Sequence, residues 1–157
     1  MIFITLGSQK FQFNRLIKTV DELVGEGKIK EEVFAQIGYS DYQPVNYKYK
    51  RFLDRDEFSN MEEKADVLIT HGGTGAIVGA VKKGKKVIAV PRLAKYGEHV
   101  DDHQIQIIGQ FKELNLIYSC EDMDLEKALE IVKKTEYKAY RSNTNRIIDS
   151  LEEFIGG

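Results

Sequence analysis

The short run Val67-Leu68-Ile69-Thr70, apolar and mostly β-branched, passes directly into His71-Gly72-Gly73-Thr74-Gly75. Such a run marks a strand buried on both faces, which requires a parallel sheet covered by helices. The glycines that follow let the backbone turn sharply and approach a ligand. The helix expected after them offers unpaired N–H groups and the positive end of its dipole to an anion. A diphosphate suits that place, and few architectures other than an α/β fold present it.

The rest of the chain has the same alternation. Strands are expected at 2–6, 33–37, near 45–50, 66–70, 86–90 and 116–119, and helices at about 11–25, 56–64, 75–83, 101–114, 124–134 and 137–154. The reading is an α/β fold, doubly wound, with a mainly parallel sheet and helices on both faces. A length of 157 residues supplies one full-sized core, so a single domain over 1–157 is expected. Leu125, Ala128, Leu129 and Val132 recur at helical spacing, as do Ile147, Ile148, Leu151 and Ile155. Gly84 after Lys82-Lys83 reads as a helix stop, with cations at the negative end of the dipole.

Charge narrows the function classes. The net charge is −2 and the Lys and Arg residues are scattered among acids, so no basic stripe favours nucleic acid. The single cysteine, Cys120, allows no internal disulfide and fits a reducing compartment. No stretch approaches 18 uninterrupted apolar residues and no basic-then-apolar leader is present, so a cytoplasmic protein is expected.

In an open α/β sheet, ligands bind beyond the carboxyl ends of the strands, where strand order reverses. Three polar loops follow predicted strands: Gly7-Ser8-Gln9-Lys10, His71 to Gly75, and Pro91-Arg92 to Gln104. Gly7-Ser8-Gln9-Lys10 lacks P-loop spacing, which excludes a P-loop ATPase or kinase. Gly73-Thr74-Gly75 could open a dinucleotide fingerprint, but Val78 stands three residues on and the next strand ends in Pro91-Arg92 in place of a ribose-binding acid. Asp54-Arg55-Asp56 imitates a metal-holding acid pair, yet its place before a helix suits an N-cap. His99 and His103 share a helical face and could bind zinc with Asp102, but no third ligand at short spacing completes a signature. No metal site is expected.

The order strand, His71-Gly72-Gly73-Thr74-Gly75, helix, Gly84-Lys85-Lys86, apolar strand, Pro91-Arg92, then Tyr96-Gly97-Glu98-His99-Val100-Asp101-Asp102-His103-Gln104 resembles the C-terminal domain of glycosyltransferase family 28. This is the donor domain of MurG-type transferases. It is similar also to the small soluble subunit of two-component, PssE-type polysaccharide transferases. The resemblance implies a Rossmann-like donor domain of the GT-B kind that uses a UDP-sugar without a metal. Gly7, Ser8 and Gly72 through Gly75, with the Thr74 hydroxyl, would then hold the diphosphate. The backbone near Phe52 and Leu53 would border the uracil, and His103 and Gln104 would reach the sugar. Arg92 lies on the same long loop. His71 and His99 would be candidates for catalytic help.

Two positions depart from the family pattern. Ala76 stands where a Ser or Thr is common, and Gly79 stands where a carboxylate grips the ribose, leaving Glu98 as a substitute by proximity in sequence. The implied function is the donor-binding subunit of a split inverting glycosyltransferase, acting on a lipid-linked acceptor beside a membrane-associated partner. The tyrosine-rich segment Tyr39, Tyr42, Tyr47, Tyr49 and Arg51, with the loop from Leu93 to Tyr96, is the expected docking face. A non-catalytic enhancer subunit is the alternative. A sugar-nucleotide epimerase of related fold is a third reading, disfavoured by the two domains that it needs.

Overall fold

The computed structural model describes residues 1–7 and 9–138. The elements are β1 (Ile2–Thr5), α1 (Asn14–Gly25), β2 (Val33–Gln36), β3 (Lys48–Lys50), α2 (Arg55–Lys64), β4 (Val67–Thr70), α3 (Thr74–Lys82), β5 (Lys86–Ala89), a 3₁₀ turn (Ala94–Tyr96), α4 (His103–Glu113), β6 (Tyr118–Ser119) and α5 (Leu125–Lys134). The six strands form one sheet in the order β3-β2-β1-β4-β5-β6. Every pairing is parallel, and in the central register Ile4 lies between Ala35 and Ile69. This is the expected doubly wound α/β fold.

Alternation along the strands divides the core in two. Ile2, Ile4, Val67, Ile69 and Ile88 join Leu16, Ile17 and Val20 of α1 and Leu125, Ala128, Leu129 and Val132 of α5. Phe3, Leu68, Val87 and Ala89 join Ile77, Val78 and Val81 of α3 and Ile107, Ile108 and Phe111 of α4, with Phe58 and Met61 of α2 against them. Each fully buried Val, Ile, Leu or Phe among them stabilises the fold by about 1.5–3 kcal/mol, so both faces of the sheet must be covered at once.

Local chemistry sets the ends. Asp54 caps α2 in a capping box, its Oδ1 accepting from the Glu57 N–H at 2.8 Å, which settles the Asp54-Arg55-Asp56 motif as a cap. Helix α1 starts at Asn14 and not near 11, because residues before it form a loop in which the Phe13 N–H donates to Ser40 Oγ at 2.9 Å. The last strand shrinks to Tyr118–Ser119, with Leu116 and Ile117 buried just before it. Residues 135–138 are not helical, and the Lys138 N–H donates to the Asn115 carbonyl. The remainder of the expected helix 137–154 lies outside the described residues.

The loop between β2 and β3 is tied down from inside. Buried Asp21 accepts from Tyr42 Oη at 2.7 Å, the Val45 N–H at 3.1 Å and the Asn46 N–H at 2.8 Å. Burial alone would raise its pKa, but these bonds outweigh burial and hold it below the usual carboxylate range. Tyr47 Oη donates to the Ile17 carbonyl, and Arg51 donates to the Gly38 and Ser40 carbonyls. Tyr42, Tyr47 and Arg51 are therefore struts of the fold, whereas Tyr39 stays exposed with its ring edge-on to Phe52 at 5.2 Å.

Candidate functional site

Strands β1 and β4 are neighbours, and their following helices α1 and α3 pack on opposite faces. Strand order reverses there, which opens a crevice at the carboxyl ends. Gly7, Gln9, His71, the stretch Gly72 to Ala76, His99, His103 and Gln104 line it, so the three loops expected to converge do so. Helix α3 has Gly73 at its N-cap and no side-chain cap, which leaves the first-turn N–H groups and the positive dipole end facing the crevice. A Cβ on Gly75 would meet nothing within 4 Å, whereas one on Gly72 would lie 2.6 Å from Gln104 Cβ and one on Gly73 2.5 Å from the His71 ring. Gly75 is thus open to a ligand. Gly72 and Gly73 are glycines because side chains behind the loop press against the backbone.

Gln104, expected at the sugar, lines the crevice but is buried, with its amide turned to the surrounding loops. Its Oε1 accepts from the Gly72 N–H at 3.0 Å and the Arg92 N–H at 2.9 Å, and its Nε2 lies 3.2 Å from His71 Nδ1. One side chain therefore ties the loop after β4 to the loop after β5. His71 is only 4% exposed, and Arg92 Nε approaches the same Nδ1 at 3.4 Å. Burial, then the charges of Arg92 and His99, pushes the His71 pKa down to about 3. A base poised near neutral pH is what proton transfer needs, and His71 is far from that; its part in the site is that of a neutral imidazole.

Arg92 and Glu98 also turn inward. The Arg92 guanidinium, 1% exposed, donates to the carbonyls of Leu6 at 2.8 Å, Phe11 at 2.9 Å, Gln12 at 3.2 Å and Glu98 at 3.2 Å. Those carbonyls occupy the donors that a phosphate would use. Glu98 is buried, its two oxygens taken by Arg15 at 2.9 and 3.0 Å and by the Leu93 N–H at 3.0 Å. It is not placed to grip a ribose. Arg15 continues over the Tyr96 ring at 4.7 Å, and Gln12 Nε2 donates to the Tyr96 carbonyl, so the loops after β1 and β5 are fastened together. The sequence held no signal for these pairings, since Arg15 and Glu98 are 83 residues apart.

His99 and His103 reach the crevice. His99 Nδ1 lies 3.2 Å from Asp101 Oδ1, which also accepts from the His103 N–H at 2.9 Å, the first N–H of α4. Among the described residues no group of three or more His, Cys, Asp and Glu side chains is arranged to hold a metal. Leu53 sits after β3, its side chain packed against the core and not among the residues that line the crevice. Ser8 lies outside the described residues. A Cβ on Gly79 would make an ordinary contact with Glu62 at 3.8 Å, so this glycine faces α2. Gln9, part of the first polar loop but given no role of its own in the sequence reading, also lines the crevice.

Comparison with solved structures places the fold. The chain is similar to an NMR structure of ALG13, with 19% identity and a TM-score of 0.61 over 96% of this chain and 93% of that one. MurG of Acinetobacter baumannii gives 17% identity and a TM-score of 0.57 over 96% of this chain and 49% of that one. The glycotransferase of kitacinnamycin gives 19% and 0.59 over 97% and 38%. The chain therefore spans less than half the length of the latter two. At these identities the likeness concerns the fold. A comparison with curated protein sequences finds no match. The model of the glycosyltransferase family 28 C-terminal domain, however, matches residues 1–155, and the chain belongs to that family.

Proposed function

We propose that this chain is the donor-binding subunit of a split, inverting glycosyltransferase that takes its sugar from a UDP-sugar. The observation that carries the reading is the uncapped N-terminus of α3 behind an open Gly75, at the point where three loops meet. Transfer requires the departing diphosphate to be stabilised, and fixed N–H donors with a helix dipole supply that without a metal. The acceptor hydroxyl attacks the anomeric carbon as the bond to the β-phosphate breaks, and its proton passes to a base on the acceptor side of the cleft. The chain offers one wall for this. In this reading the acceptor side comes from a separate partner. No helix among the described residues is long and apolar enough to cross a membrane. In this reading a membrane-associated partner brings the lipid-linked acceptor of a polysaccharide pathway to the cytoplasmic face, docking near Tyr39, Phe52 and Tyr96, which stay exposed.

A second reading, an enhancer subunit that binds the partner without using its own crevice, draws support from Glu98. With its carboxylate held by Arg15 and Gly79 facing α2, neither supplies the ribose contact. Calorimetry with UDP separates the two. Micromolar binding favours the donor-binding subunit, and no binding even with the partner present favours the enhancer. Gly75→Asp should abolish binding by setting a negative charge at the phosphate position, with no clash inside the fold to complicate the result. Unchanged affinity would sink the site. Transfer to a lipid-linked acceptor should need a second polypeptide, and turnover by the pure chain alone would overturn the split arrangement.

A further inference from the structure

Four polar atoms behind the crevice form a chain in which each fixes the next. Gln104 Oε1 receives two buried backbone N–H groups, those of Gly72 and Arg92. A flipped amide would face both with its NH₂ and leave buried donors unpaired, at about 1–3 kcal/mol each. Gln104 Nε2 is therefore the atom turned to His71 Nδ1, and an amide nitrogen only donates. Arg92 Nε, also donor only, faces the same Nδ1. Two donors on one ring nitrogen make it the acceptor, so the proton of the neutral imidazole is on Nε2. That nitrogen faces Gly7 and Gly73, two residues that line the crevice, and lies 2.7 Å from where a Cβ on either would stand.

We propose that Gln104 is a positioning residue that sets the tautomer of His71, so that the imidazole presents a fixed Nε2–H donor to a phosphoryl oxygen of the bound nucleotide sugar. A neutral donor held this way costs no proton uptake on binding and no reorientation. The role differs from a direct sugar contact, because Oε1 and the Nε2 donor that meets His71 are engaged with the loops that frame the crevice. The proposal rests on the donor-binding reading for its ligand but not for its tautomer.

The test uses the full chain labelled with ¹⁵N, which has only three histidines. Two-bond proton–nitrogen correlation spectra, assigned with His71→Gln, should show His71 protonated at Nε2 and bare at Nδ1 throughout pH 6–8. An Nδ1–H tautomer or an imidazolium in that range would overturn the proposal, whatever the ligand results. Gln104→Glu keeps an acceptor for the two N–H groups but turns a carboxylate oxygen to Nδ1. At pH 8 the proton should move to Nδ1, and affinity for a UDP-sugar should fall about 10- to 100-fold, the loss of one hydrogen bond to a charged group.

The new carboxylate also stabilises the imidazolium against the opposing charges of Arg92 and His99, the latter beside Asp101, so lowering the pH should protonate both nitrogens and restore affinity. The wild-type chain should show no such dependence. Gln104→Glu with an unmoved tautomer and wild-type affinity at pH 8 would also overturn the proposal. A wild-type chain that has the Nε2–H tautomer yet binds no UDP-sugar would instead refute the donor-binding reading.

Discussion

Arg92→Ala should lower the stability of the fold by about 3–5 kcal/mol, since several buried acceptors left unpaired cost about 1–3 kcal/mol each. The substitution leaves the carbonyls of Leu6, Phe11, Gln12 and Glu98 without their shared donor and opens a cavity beneath Phe13, whose ring lies 5.2 Å from the guanidinium. For a chain of this size the midpoint of thermal unfolding should drop by on the order of 10 °C. Arg92→Lys should recover little of it, because an ammonium cannot reach four carbonyls spread around a planar fork. Calorimetric unfolding of both variants checks this, and a loss below about 1 kcal/mol would show the network to be dispensable.

Gly7→Ala should damage both stability and binding. Gly7 has φ of +69°, where an alanine costs about 1–2 kcal/mol. The new Cβ would also stand 2.7 Å from His71 Nε2, and the buried ring has to give way. Affinity for a UDP-sugar should fall at least about tenfold as the donor is displaced. Gly27→Ala separates the two causes. Its φ is +76° but a Cβ there meets nothing within 4 Å, so it should show the strain in an unfolding curve and leave ligand affinity intact. Equal binding by both variants would mean that the His71 ring does not serve the crevice.

The fold was legible because its signals are local. Val67 to Thr70 and Ile2 to Leu6 announce strands by their own composition, and Gly72 to Gly75 announce a turn at a helix start. The meeting of three loops followed from topology alone. The assignment of single side chains did not, because it depends on partners far away in sequence. Arg92, Glu98 and Gln104 look like ligand-facing polar residues on a loop, and only the approach of Leu6, Arg15 and Gly72 in space shows that they are spent on the scaffold. The family resemblance placed Gln104 at the sugar by motif. The two backbone N–H groups on its Oε1 show what the amide is occupied with.

The central position of β1 has a consequence for how the chain is made. Ile2 pairs with Val33 on one side and Val67 on the other, so β1, which precedes the other five strands of this sheet, cannot be fully covered until 65 more residues exist. At about 5–20 residues per second that interval is roughly 3–13 s, and pairings so distant along the chain form slowly afterwards. During it, Ile2, Phe3, Ile4 and Leu6 are an apolar edge with no partner on the β4 side. Until β4 emerges, β1 is the apolar segment of this domain that a chaperone would have to shield.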